Sequence, residues 1–418
     1  MKNKIYYCLL FAVILIASCT SKPEPVIKAL IDDKNNTVFP LGSLIDGAAI
    51  IHIDSLFDEL FCIKPELTEN SIIAQYSKII IKDSMLFIMD NSKSNQAIFV
   101  FDMKGKYLFN INKRGQGSGE YRSIDDFYVD NKTKTIGLLD HSQILRYDYS
   151  GNFLGKLDLR RHYIHNIVGV DSLIYTYGYA QCSTKNCYSF KIFNLKGDLL
   201  YEDMPERKDL ISFPLTGLKN DNLFVDTDNK VYYNSIYSDT IYEVSMNKIT
   251  PRYITDFGKY KMPGDIYSDL VKRGDRDAAS SLSHAINSNY AIFGIENMLF
   301  TKDHCYFRFS LGNKGYFGYY SKKTSTLKIT YSFISRGIFP RHTQLASDEN
   351  FFYGDISSYD MVNHKKLYEE HGFLDPSFES PPELREEYEK MRQHYYEVLK
   401  DAKEDDNNTI IVSKLRDF

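Results

Sequence analysis

One short turn, repeated at a constant interval, constrains this chain more than anything else in it. FDMKGKYLF begins at Phe101, YDYSGNFLG at Tyr147 and FNLKGDLLY at Phe193, and the turn glycines Gly105, Gly151 and Gly197 stand 46 residues apart each time. A period in the forties, carried by short alternating strands, is the signature of propeller blades: one four-stranded sheet cannot bury both its faces alone and must stack on neighbours. Glycine is wanted at these hairpin tips for a positive φ, and the Asp or Asn three residues before it bonds the turn backbone. The 33 Tyr and 27 Phe, with Trp absent, push the same way, since aromatic and β-branched residues favour strands.

The repeat predicts an all-β fold, a six-bladed β-propeller with helical insertions. Each of the first three copies divides into four strands. Blade 1 is expected over Tyr76–Lys82, Met85–Asn91, Ala97–Asp102 and Tyr107–Asn112; blade 2 runs from Ile124 to Leu159 and blade 3 from Ile167 to Asp203. A fourth copy, without the turn glycine, ends near Phe257, and a fifth spans 293–333. Helical spacing interrupts the pattern at about 260–290 and again at about 360–403. In the second interruption Ser380, two prolines and Glu383 form a helix start, and Leu384, Tyr388, Met391, Tyr395 and Leu399 make one apolar stripe suited to docking on a core. The last apolar run, Thr409–Leu415, reads as the third strand of blade 6. That blade then lacks one strand, and the segment near Leu60–Pro65 is expected to supply it. The two chain ends thereby close the ring in one sheet and remove its open edges.

The first residues lie outside this grammar. Residues 1–18 combine a basic start with an apolar stretch too short for a comfortable membrane span. Ile16-Ala17-Ser18-Cys19 resembles the lipobox of bacterial lipoproteins, which implies cleavage before Cys19, lipid on that cysteine and attachment to a membrane without a spanning helix. Residues 19–39 are expected to be the lipidated cysteine and a tether, and 40–418 the propeller. The net charge of −4 becomes −6 once Lys2 and Lys4 leave with the leader, which excludes a field for nucleic acid. Cys182 and Cys187, in a hairpin tip, are spaced for a disulfide in an oxidising compartment. Cys62 and Cys305 fall in apolar strand patterns and are expected buried.

The stretches Gly115–Tyr121 (GQGSGEY), Ile124–Asp130 (IDDFYVD) and Phe101–Gly105 (FDMKG) resemble the blade consensus of NHL-type six-bladed propellers. With the lipobox, the whole chain resembles the propeller lipoproteins of anaerobic Gram-negative gut bacteria. The resemblance implies an envelope location, most simply the outer membrane on an undetermined side, a monomer, and no established activity. Propellers bind at a channel mouth, so the glycine-rich loop Arg114–Arg122 is the first candidate rim. Arg114, Gln116, Glu120 and Tyr121 are its ligand-binding candidates, set among glycines whose amides can approach an anionic or hydroxylated ligand. The rival reading makes the loop a simple crossing between blades, with Tyr121 packed between sheets.

The expected function is binding or scaffolding of a glycan, a peptide or an envelope protein, without a cofactor. The alternative is a lactonase- or lyase-like enzyme, because calcium-dependent lactonases share the overall plan and hold their metal with inward Asp, Asn and Glu oxygens. Asp90, Asp130, Asp140 and Asp226 would be its acids here. His141, His162, His165, His304 and His342 are dispersed without metal spacing, and no Gly-x-Ser-x-Gly elbow supports a serine hydrolase.

Overall fold

The computed structural model describes residues 26–52, 56–178, 188–205, 222–234, 238–261, 294–312, 314–334, 343–371 and 385–418. The repeat becomes six radial sheets. Blade 1 is Lys78–Lys82, Met85–Asn91, Gln96–Asp102 and Tyr107–Ile111, from the channel outwards, and blade 2 is Asp126–Asp130, Thr135–Asp140, Gln143–Asp148 and Phe153–Asp158. Blade 3 follows with Ile164–Val170, Leu173–Gly178, Tyr188–Asn194 and Leu199–Pro205. Blade 4 is Leu223–Val225, Val231–Asn234, Thr240–Ser245 and Lys248–Thr255; blade 5 is Asn297–Phe300, His304–Leu311, Lys314–Ser321 and Thr326–Ile334.

The repeated turns behave as their chemistry requires. Gly105, Gly151 and Gly197 have φ of +85°, +78° and +89°. Asp102 Oδ1 accepts from Lys104 N and Lys106 N, Asp148 Oδ1 from Ser150 N and Asn152 N, and Asn194 Oδ1 from Lys196 N and Asp198 N.

Between blades the apolar faces interlock. Phe87, Met89, Ile98 and Val100 of blade 1 pack with Phe127, Val129, Ile136 and Leu138 of blade 2, all buried. Tyr128 reaches the other way and lies across two glycines. A Cβ on Gly137 or on Gly169 would stand 2.1 Å from its ring. Gly169→Ala is therefore expected to overpack this interface and cost about 1–3 kcal/mol, read as a lower denaturant midpoint at unchanged m.

Blade 6 closes the ring as the orphan strand predicts. Gln344–Ser347 and Phe352–Ile356 are followed by Thr409–Leu415, whose outer edge pairs antiparallel with Phe57–Ile63. The N-terminal strand begins three residues earlier than expected and stops before Pro65, whose missing N–H cannot continue a ladder. The second insertion is helical, as expected: α1 (Ser358–His371) and α2 (Arg385–Leu399). Tyr395 and Leu399 of the apolar stripe are buried with Met361, Phe57, Leu60 and Ile356. Ser380–Leu384 and the first insertion, 262–293, lie outside the described residues.

The tether corrects to something shorter. From Val26 onwards this segment is woven into the propeller: Val26–Lys28 pairs with Thr326–Lys328 of blade 5, and Leu30–Ile31 pairs with Thr37–Val38. Thr37–Phe39 in turn runs parallel to Tyr253–Thr255 of blade 4. Ala49–His52 also lies along blade 5. These pieces cover outer edges that would otherwise be left open. Phe39, fully buried, stacks on Phe307 with ring centroids 5.3 Å apart and so pins the two blades together.

Candidate functional site

The innermost strand of each sheet has a partner on one side only, so its second ladder edge faces the axis. Together the six inner strands enclose a channel of about 750 Å³. Its middle is apolar, with Ile80, Val168, Leu299 and Leu345 among the lining residues. The charged and amide groups gather towards the ends.

At the end where the crossing loops enter, the charge is neutralised. Lys78 Nζ lies 2.6 Å from Asp126 Oδ1 and 3.0 Å from the Phe127 carbonyl oxygen. Asp126, 4% exposed, also accepts from Phe127 N and from Ile167 N, each at 2.8 Å. A single carboxylate thus ties blade 1 to blade 2 and blade 2 to blade 3. The opposite mouth, built by the hairpins that leave the inner strands, is different. Lys82 Nζ reaches across the ring to Asn229 Oδ1 of blade 4 at 3.5 Å, the long limit of a hydrogen bond, and among the described residues it has no carboxylate partner. Asp83 beside it pairs with Lys134 at 2.7 Å. Asp226 and Asp348 line this mouth, yet their oxygens accept from their own turns: Asp226 from Asp228 N, Lys230 N and the Tyr232 hydroxyl, Asp348 from Asn350 N, Phe351 N and the Tyr353 hydroxyl.

The other acids singled out by the sequence serve the scaffold in the same manner. Asp90 accepts from Ala74 N at 2.7 Å and Ser92 N at 2.9 Å. Asp130 takes Lys132 N, the Thr133 hydroxyl and, from blade 3, Ser172 N. Asp140 holds Arg122 N and His141 Nδ1. Among the described residues no three His, Cys, Asp or Glu side chains come together at metal-holding spacing.

The glycine loop is filled from within. Gly117 N donates to Glu120 Oε2 at 2.8 Å, and a Cβ on Gly115 would stand 2.0 Å from that oxygen. The carboxylate of Glu120 occupies the place an anionic ligand would take. Tyr121 is fully buried, its hydroxyl within hydrogen-bonding distance of the Gln96 and Ile111 carbonyl oxygens, either of which takes its one proton, while it accepts from Lys113 N; burial pushes the phenol up to about 12. Arg114 and Gln116 are exposed, and Arg114 Nη1 lies 3.4 Å from the Lys93 carbonyl oxygen. The four residues share one loop, but only Arg114 and Gln116 present their side chains freely to an incoming molecule. Lys82 and Asn229 escaped the sequence reading because their contact joins blades on opposite sides of the ring. The only signal was the lysine at each end of the Lys78–Lys82 strand.

Cys305 is buried as expected, and Cys62, in the closing strand, is half-buried; burial pushes the Cys62 thiol up to about 12 and that of Cys305 higher, so neither is a nucleophile at neutral pH. Cys19, Cys182, Cys187 and His342 lie outside the described residues. Burial lowers His162, His165, His304 and His364 below the usual imidazole range. Among the described residues His141 alone moves upwards, held by Asp140. For the four lowered groups the folded chain resists protons that the unfolded chain accepts below about pH 6.5, so their stabilisation is present above that pH and falls away as acid is added. Thermal melts are expected to drop between pH 7.5 and 5.5, and His304→Gln to flatten that slope.

A protein of Bacteroides fragilis described as exported has a solved structure that aligns over 88% of this chain and 98% of its own, with a TM-score of 0.67 at 17% identity. A member of the DUF4221 family from Bacteroides vulgatus aligns over 86% of this chain and 97% of its own, with a TM-score of 0.51 at 10% identity. At such identities the likeness is one of fold. No curated protein matches the chain. The profile of the family described as a domain of unknown function (DUF4934) matches residues 36–414, and the chain belongs to that family.

Proposed function

We propose that this chain is a lipid-anchored propeller of the bacterial cell envelope, carried by Cys19 on the outer membrane, and that it binds rather than transforms its ligand. The observation that carries the binding reading is Lys82: an ammonium facing the channel mouth, without a carboxylate partner among the described residues, beside the Asn229 amide and the open edges of six strands. That combination suits an anionic group on a glycan or peptide. Arg114 and Gln116, exposed on the crossing loop at the other end, are available for a larger partner such as a neighbouring envelope protein. The leader and lipobox support the envelope placement, and the Bacteroides fragilis neighbour is described as exported.

The enzymatic alternative needs inward oxygens free to hold a metal, whereas Asp90, Asp130, Asp140 and Asp226 each serve a turn or a blade contact. A direct test is calorimetric titration of the protein with uronic-acid oligosaccharides and acidic peptides. One-site binding is expected, weakened roughly tenfold or more in Lys82→Ala, because a hydrogen bond to a charged group contributes about 1.5–3 kcal/mol. Binding that is indifferent to Lys82→Ala, or calcium-dependent conversion of a lactone at this mouth, would sink the reading.

A further inference from the structure

The outer rim of blades 4 and 5 carries a concentration of exposed apolar side chains. Val26, Leu30, Ile31, Ile50 and Tyr331 are 46%, 57%, 61%, 41% and 36% exposed. Pairing places them along one border. Val26 faces Lys328, Ala49 and Ile51 face Thr330 and Phe333 on the same edge, and Leu30–Ile31 continues from Val26–Lys28 onto the edge of blade 4. Among the described residues the outer strands of blades 1 and 2 show single exposed leucines, Leu108 and Leu154, and that of blade 3 the pair Leu199 and Leu200; one or two such side chains need no explanation. A clustered rim does. In the turn that follows Ile31, the Asp32 carboxylate is engaged by Lys34 N and by Asn36.

What covers this rim follows from where the chain comes from. Six residues separate Cys19 from Val26. Fully extended, that interval spans at most about 25 Å. If Cys19 carries lipid, Val26–Ile31 is held beside the headgroups whatever the rest of the molecule does. We propose that the blade 4–5 rim lies against the bilayer, with Leu30, Ile31 and Ile50 inserted at the headgroup boundary as a second membrane contact beside the lipid. The buried apolar area of such a contact adds to the hold of the lipid. This inference rests on the lipid-anchor reading and adds an orientation to it: the channel axis runs along the membrane plane, so both channel mouths stay open to solvent.

The absence of tryptophan supplies a clean probe. The full chain, produced in a Gram-negative host that processes lipoproteins, is placed in phosphatidylethanolamine–phosphatidylglycerol vesicles with and without brominated acyl chains. Single reporters are introduced as Ile31→Trp and Ile50→Trp on the rim, and as Leu154→Trp on blade 2, across the ring. Mass analysis of the N-terminal peptide reports lipid on Cys19 independently. The proposal expects blue-shifted emission and loss of most fluorescence to brominated lipid for both rim reporters, with Leu154→Trp unquenched. Acylated, vesicle-bound protein whose rim reporters are quenched no more than Leu154→Trp overturns the orientation and leaves the anchor standing. A chain without lipid on Cys19 overturns the anchor, and the proposed orientation with it.

Discussion

Deleting Thr409–Phe418 will abolish cooperative folding of the whole ring. The strand Thr409–Leu415 is the middle of blade 6's outer half, bonded to Phe352–Ile356 on one edge and to Phe57–Ile63 on the other. It also serves two cores at once. Ile410 and Val412 pack with Ile79, Ile81 and Leu86 of blade 1, while Ile411 and Leu415 pack with Phe57, Tyr395 and Leu399. Burying an aliphatic side chain stabilises by about 1.5–3 kcal/mol as an upper estimate, so four of them reach the order of 10 kcal/mol. That equals the whole stability of a typical domain, about 5–15 kcal/mol. Losing the strand also strips Phe57–Ile63 of its ladder partner among the described residues, which releases the N-terminal closure. The measurement is a urea transition followed by circular dichroism: the full chain gives a sigmoid, and the truncated chain a non-cooperative decline. The single substitution Ile411→Ala should retain the sigmoid with a loss of about 2–5 kcal/mol.

The second large effect is expected at Asp126. Asp126→Ala removes the acceptor of three donors at once: Lys78 Nζ, Phe127 N and Ile167 N. Two of those donors are backbone amides in a buried setting, and orphaning them carries the full desolvation penalty. Removing one partner of a buried, hydrogen-bonded charge pair costs about 3–5 kcal/mol. Asp126→Ala should therefore lower the denaturant midpoint by far more than Lys78→Met, since the latter leaves the carboxylate its two amides and sits where the lysine side chain is 23% exposed. Asp126→Asn, which keeps an oxygen acceptor, should fall between them. Equal losses in all three variants would show that the ion pair, and not the amide network, holds the blades here.

The parts of this fold that were readable in the sequence are those whose cause is local. Gly105, Gly151 and Gly197 mark blades because a tight hairpin needs a positive φ wherever it sits, and the orphan strand TIIVSKL pointed to its partner because a ring cannot leave a blade one strand short. The segment 26–39 was read as tether for the opposite reason. Strands of two or three residues show no alternation, and Thr37–Phe39 is a strand only because Tyr253–Thr255 offers it an edge more than 200 residues away. The loop and the channel mouth show the same division between local and distant causes. In the glycine loop Arg114–Arg122 the amide of Gly117 meets an anion of the loop itself, the Glu120 carboxylate. Tyr121 packs between the sheets, as the reading of the loop as a crossing between blades expects. Lys82 looked like one end of an ordinary strand until ring closure set it opposite Asn229.

The most direct test of the binding account is a crystal structure of the protein with the acidic oligosaccharide or peptide that binds it most tightly. The account predicts the ligand's anionic group at the channel mouth formed by the hairpins after the inner strands, within hydrogen-bonding distance of Lys82 Nζ. Ligand seated instead in the Arg114–Tyr121 loop, with Glu120 displaced from Gly117 N and the channel mouth unchanged, would contradict it.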